Sequence, residues 1–132
     1  MAKVSGLGFT VEVDTEADSL TDISADVTNF NFSTPRGVQD TTGVDKDAME
    51  RLLLLADFSV TLNGVFNPSL SHTVFETVPS GSLVRDTDLT LDSDSLDNDC
   101  LFTDYALTRA ANGAFTWTAP GVLADGVVPT WA

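Results

Sequence analysis

The dipeptide Asn112-Gly113 constrains this chain more than any other feature. Both residues accept the positive φ angles of a tight turn, and the twist of that turn matches paired strands. The flanks, Tyr105-Ala-Leu-Thr-Arg-Ala-Ala111 and Ala114-Phe-Thr-Trp-Thr-Ala119, suit extended backbone. A β-hairpin is therefore predicted here, with Phe115 and Trp117 on one face.

The rest of the chain repeats the two-residue period. Leu7, Phe9, Val11 and Val13 alternate with Gly8, Thr10 and Glu12, which predicts a half-buried strand with the apolar set inward. The polar run Asp14 to Ser19 reads as a turn. Leu20 to Phe32 resumes a strand anchored by Ile23, Val27, Phe30 and Phe32, with Asn29 and Asn31 outward. Phe58, Val60 and Leu62 alternate with Ser59, Thr61 and Asn63, and Leu83 to Leu91 and Leu101 to Leu107 give two further strands.

Two helices are expected between these strands. Asp47 stands three residues before Glu50, as in a capped first turn, so a short helix is predicted over Asp45 to Arg51, with the switch to strand falling within Leu52 to Leu55. Leu70, Val74 and Phe75 predict one or two helical turns after Pro68, stopped by Pro79. Between Ser33 and Asp47 the chain has little apolar content, two glycines and a proline; so long a connection reads as a functional loop. The segment from Pro120 to Ala132 reads as a surface tail that docks by Trp131.

With 132 residues, the chain is expected to form one domain over 1–132. The formal charge is -14, from 20 acidic and 6 basic residues, and the basic residues Lys3, Arg36, Lys46, Arg51, Arg85 and Arg109 are scattered. That speaks against a surface that holds nucleic acid by neutralising phosphates. The acidity serves solubility, or a surface that must repel polyanions. Cys100 is the only cysteine, the start Met1-Ala2-Lys3-Val4-Ser5-Gly6 lacks the apolar run of a signal peptide, and no run approaches the roughly 20 apolar residues of a membrane span.

No enzyme is nominated. His72, the only histidine, has no accompanying nucleophile motif and reads as a helix-surface or cap residue. Asp92 to Asp99 suggests a calcium loop, but the fifth, sixth and twelfth positions are Leu96, Asp97 and Thr103, so an EF-hand is excluded and a solvated acidic hairpin end is expected. Neither phosphate-binding glycine loop nor zinc-spaced ligand set occurs, and no cofactor is expected.

The order of segments resembles the tail-tube (major tail) proteins of long non-contractile-tailed bacteriophages. The resemblance rests on Leu20-Thr-Asp-Ile-Ser-Ala-Asp-Val27, the loop with Asp40-Thr-Thr-Gly43, Leu55-Ala-Asp-Phe-Ser-Val-Thr-Leu-Asn-Gly-Val-Phe-Asn67, Phe102-Thr-Asp-Tyr105, and Ala110 to Leu123. It implies a mainly β, sandwich- or barrel-like tail-tube fold with a short flanking α-helix and a long inter-ring loop. It also implies hexameric rings stacked into a tube, assembled in the host cytoplasm and carried in the virion tail. Partners so implied are copies of the chain and tape-measure, tail-terminator and distal-tail proteins, with double-stranded DNA passing through unbound and no membrane. The loop residues Pro35, Arg36, Gly37, Val38, Gln39, Asp40, Thr41, Thr42, Gly43 and Val44 become the expected subunit and ring interface. Alternatives are a capsid decoration or head-tail joining protein, or a carbohydrate- or cell-binding β-sandwich whose exposed tryptophans, Trp117 or Trp131, stack on sugars.

Overall fold

The computed structural model describes residues 3–15 and 19–132. Met1 and Ala2, and Glu16 to Asp18 of the expected turn, lie outside the described residues.

The chain is mainly β, with antiparallel pairing and one short helix. Its strands are β1 (Thr10–Asp14), β2 (Leu20–Asp22), β3 (Val27–Ser33), β4 (Arg36–Asp40), β5 (Arg51–Ala56), β6 (Ser59–Val65), β7 (Arg85–Leu91), β8 (Asp94–Phe102), β9 (Ala106–Arg109) and β10 (Phe115–Leu123); the helix α1 is Ser71–Phe75. Eight strands form one sheet in the order β2-β1-β7-β8-β10-β6-β3, with β9 pairing on β10. The remaining two, β4 and β5, pair only with each other.

The predicted hairpin is β9–β10, with Phe115 opposite Arg109 and Gly113 at φ 93°. Alternation sends Val11 and Val13, Leu89, Leu96, Cys100 and Phe102, Val60 and Leu62, and Trp117 and Ala119 into one core. The sheet curls until its ends meet: Phe9, ahead of β1, packs edge-on to Phe30 of β3 at 4.8 Å, and Trp131 lies 5.9 Å from Phe32. Such an aromatic seam is what makes the sheet barrel-like, since it lets both ends share one core. The chain end reinforces it, because Ser95 and Ala132 exchange backbone hydrogen bonds of 3.1 and 2.8 Å.

Helix α1 closes one end, burying Val74 and Phe75, with the Phe75 ring against Phe102, Tyr105 and Trp117. Its cap position, Leu70, supplies no side-chain hydrogen bond. Instead the Asp26 carboxylate accepts from the Ser71 amide at 3.1 Å and from Asn67 Nδ2 at 3.2 Å, satisfying a helix-start donor from a distant turn. Buried Arg85 donates to the Val74 and Asp14 carbonyls at 2.7 and 2.8 Å and to Thr77 Oγ1 at 2.8 Å, tying helix to sheet.

Several expectations are corrected. There is no helix over Asp45 to Arg51: Arg51 to Leu55 belong to β5, because Asp40, Gln39 and Val38 pair with Arg51, Leu52 and Leu53. Leu7 is exposed, since β1 begins only at Thr10. Leu20 to Phe32 is two strands separated by a turn in which the Asp26 and Val27 amides both donate to the Ile23 carbonyl. Asp94 to Asp99 lie within β8; the turn before it is narrower, with Asp92 at φ 56°. Pro120 lies inside β10, where a missing N–H is tolerated because that side changes partner from β9, ending at Ala106–Thr118, to β8, starting at Phe102–Gly121.

Candidate assembly surface

Two features stand outside the core: a projecting ribbon and a carboxylate-bearing sheet face. The ribbon is β4–β5. It runs on from β3 and β6, past Thr34-Pro35 on one side and Asp57-Phe58 on the other, with the Asp57 amide donating to the Pro35 carbonyl at 2.9 Å. Five strand residues at about 3.4 Å each carry it roughly 17 Å beyond that junction. Arg36 clamps the base, donating through Nε and Nη2 to the Leu54 carbonyl at 3.1 and 2.9 Å. Thr42 closes the outer end: its hydroxyl accepts from the Glu50 amide at 2.8 Å and donates to the Glu50 carbonyl at 3.2 Å. The Asp40 carboxylate accepts from the Thr42 amide at 2.9 Å, and the Thr42 side chain and amide together hold its pKa below the ordinary value.

The expected interface residues Pro35 to Val44 are all on this ribbon: Arg36 to Asp40 form β4, and Thr41 to Val44 lead into its tip. The sequence reading missed the opposite strand. Leu52, Leu53, Leu54 and Leu55 are 57%, 62%, 44% and 90% exposed, beside Val38 at 51%. Exposed apolar side chains grouped in this way make the ribbon a candidate interaction surface. The signal was available: a run of leucines beside charged Asp45 to Arg51 fits a solvent-facing ribbon once β4 is recognised as its partner.

The second feature lies on the outer face of β2-β1-β7-β8. Register places Asp22 beside Glu12, Glu12 beside Asp88 and Asp88 beside Asp97, with Asp86 beside Asp99 in the next row. Facing residues in paired strands have Cβ atoms about 5 Å apart, so these are like-charge neighbours. Asp88 sits at the centre; burial above all, then its neighbour Asp86 and the charges of Asp97 and Glu12, push its pKa up to about 8. As a carboxylate its Oδ1 is buried without a hydrogen-bond partner among the described residues, whereas a proton there can be shared with Asp86. Along β8 successive side chains point to opposite faces, Leu96 and Asn98 inward and Asp97 and Asp99 outward, so the acidic run does not converge as a calcium loop would. Among the described residues no cluster of three or more His, Cys, Asp or Glu is arranged to hold a metal ion.

His72 joins α1 to the β9–β10 hairpin. Its Nδ1 lies 3.2 Å from the Tyr105 hydroxyl and its Nε2 3.5 Å from Glu76, while its ring packs on Phe66. An open cavity of about 310 Å³ beside it is lined by Glu76, Val78, Pro79, Thr103, Asp104, Tyr105 and Leu107. The imidazole has a partner at each nitrogen, and these contacts tie α1 to the β9–β10 hairpin. Trp117 is buried, with Nε1 donating to the Val65 carbonyl at 3.0 Å, and Trp131 is half-exposed on the aromatic seam.

Neither a protein-family model nor a curated protein sequence matches the chain. Solved structures do. A chain from the virion of a native gene transfer agent particle superimposes with a TM-score of 0.79 at 15% identity, covering 97% of this chain and 99% of that one. A chain from the tail of an empty gene transfer agent particle, a structure with C6 symmetry, gives 0.78 at 15% identity over 98% of both. This chain has the fold of that tail chain. A chain of the phage p2 baseplate in its activated conformation matches at 0.55 and 11% identity, covering 87% of this chain and 44% of that one. At these identities what is shared is the architecture. Among the described residues no helix is long and apolar enough to cross a membrane.

Proposed function

We propose that this chain is the structural subunit of a phage-like tail tube, assembling into stacked hexameric rings that conduct double-stranded DNA. The observation that carries the reading is the ribbon. A two-stranded ribbon with leucines open to solvent is marginal on its own and is completed by another surface. The whole-length likeness to a chain of a C6-symmetric tail supports the choice of assembly. Pro35 to Val44, together with Leu52 to Leu55, then form the contact with neighbouring copies.

The carboxylate face fits the same role. Rows of Asp and Glu repel phosphate, so a wall built from them lets DNA slide without sticking. Tape-measure, tail-terminator and distal-tail proteins are the partners such a tube requires at its core and ends. The mechanism is passive conduction, with no bond made or broken by the subunit.

Negative-stain microscopy of the concentrated protein tests this. Hollow filaments or six-membered rings are expected; a monomer at every concentration overturns the reading.

A further inference from the structure

The two faces of the ribbon carry separate apolar surfaces. Val38 and Leu53 are register partners and share one face. Gln39 and Leu52 are the next pair and share the other. Leu54 joins Leu52, because a Cβ built on Gly37, two residues from Gln39 and so on its face, would meet the Leu54 side chain at 3.4 Å. The register shift between Arg36 and Val38 places Leu55 at a bulge, outside this alternation. Neither face is covered by the chain's own body, since all four apolar residues remain more than two-fifths exposed.

A ribbon that merely lay on one neighbour would need leucines on one face and polar residues on the other, the usual alternation of a half-covered strand. Here each face carries two exposed apolar side chains, beside the Asp40–Arg51 pair on one and Gln39 on the other. The charge pattern names the occupant. Residues 36–56 hold three cations against four carboxylates, a net charge of -1, leaving -13 of the chain's -14 on the rest. Two bodies each near -13 repel, and the nearly neutral ribbon is the segment that can be pressed against such a body with least repulsion.

Building on the tube reading, we infer that the ribbon is inserted between two other copies of this chain, with Val38 and Leu53 against one and Leu52 and Leu54 against the other. A single arm then joins three subunits, making lateral closure and axial stacking depend on opposite faces of the same strand pair.

Two double variants test this: Val38→Thr with Leu53→Thr, and Leu52→Thr with Leu54→Thr. Threonine has the β-branched shape that strands favour and removes apolar surface, so both variants should unfold at the wild-type temperature. Light scattering and electron microscopy are expected to show two different arrests, one leaving unstacked rings and the other small open oligomers. If either variant forms tubes like wild type, or if both stop at the same stage, two-sided insertion is overturned. Single cysteines at Leu52 and at Leu53 give a measure independent of stability, because in wild-type-like tubes they should cross-link to different peptides of neighbouring copies. Cross-links from both to one peptide overturn the proposal while leaving the tube intact, whereas a wild-type protein that never assembles overturns the tube reading itself.

Discussion

At the scale of single residues, the tightest constraint lies at Gly64. A Cβ there would stand 2.2 Å from the Asp26 carbonyl and 2.6 Å from the Trp117 ring, and neither can retreat without opening the core. Gly64→Ala is expected to destabilise the fold by about 3 kcal/mol, the upper end for overpacking, as read from urea unfolding. Asp26→Ala removes the acceptor of the Ser71 amide and should cost about 1–3 kcal/mol by the same measurement. Asp88 predicts a pH effect. Its folded pKa, raised to about 8, lies above the unfolded value of about 3.9, so the folded chain holds a proton that the unfolded chain releases. The corresponding stability is complete below about pH 4 and is lost as pH rises through about 8. Asp88→Asn, which stays neutral, should therefore melt above wild type at pH 9, with the difference shrinking toward pH 5. Neither Asp88 nor Gly64 could be picked out from the sequence. Asp88 was visible only as one acid among many, because its neighbours come from β1 and β8; nothing local singles out Gly64 within β6, because the atoms that crowd it belong to Asp26 and Trp117.

At the scale of elements, short-range chemistry was a reliable guide where it was decisive. Asn112-Gly113 forced a hairpin whatever surrounded it, and the alternation of Phe58, Val60 and Leu62 survives as buried positions. The helix after Pro68 also formed where its apolar spacing placed it. Local reasoning failed over Asp45 to Leu55, where the Asp47 and Glu50 pattern and four leucines suit helix and strand equally. Hydrogen bonding to Arg36–Asp40 settled the matter, and that pairing is remote in sequence. The residues Pro35 to Val44 fall on the ribbon, but its other strand was not anticipated, since the switch from helix to strand was expected within Leu52 to Leu55 and β5 already begins at Arg51. The ribbon's amides should exchange with solvent faster than those of β6 in the unassembled chain and gain strong protection in the tube; equal exchange in both states would speak against its role as a clasp.

At the scale of the whole molecule, the topology separates two tasks. The curled eight-stranded sheet forms a core closed by α1 and the aromatic seam, so the ribbon can be free without exposing that core. A mainly β chain was readable from periodicity; the order of strands was not, because β10 lies between β6 and β8 through pairings that no short window contains. With a net charge of -14 and acidic rows across β2-β1-β7-β8, purified protein should show negligible affinity for duplex DNA at moderate salt in a mobility-shift or anisotropy assay. A tight complex that weakens steeply with salt would be incompatible with a conducting wall.

The continuity of β3 into β4 and of β5 into β6 has a mechanical consequence. Tension on the ribbon's tip enters the body along the strand axes, and β6 is held against β10 by seven register pairs from Ser59–Val122 to Val65–Thr116. Antiparallel ladder bonds lie across the strands, so such a pull loads them in shear and shares the force among them instead of peeling them one by one. An assembly linked through these arms would resist stretching by spreading each tug into the sheet of every subunit it joins.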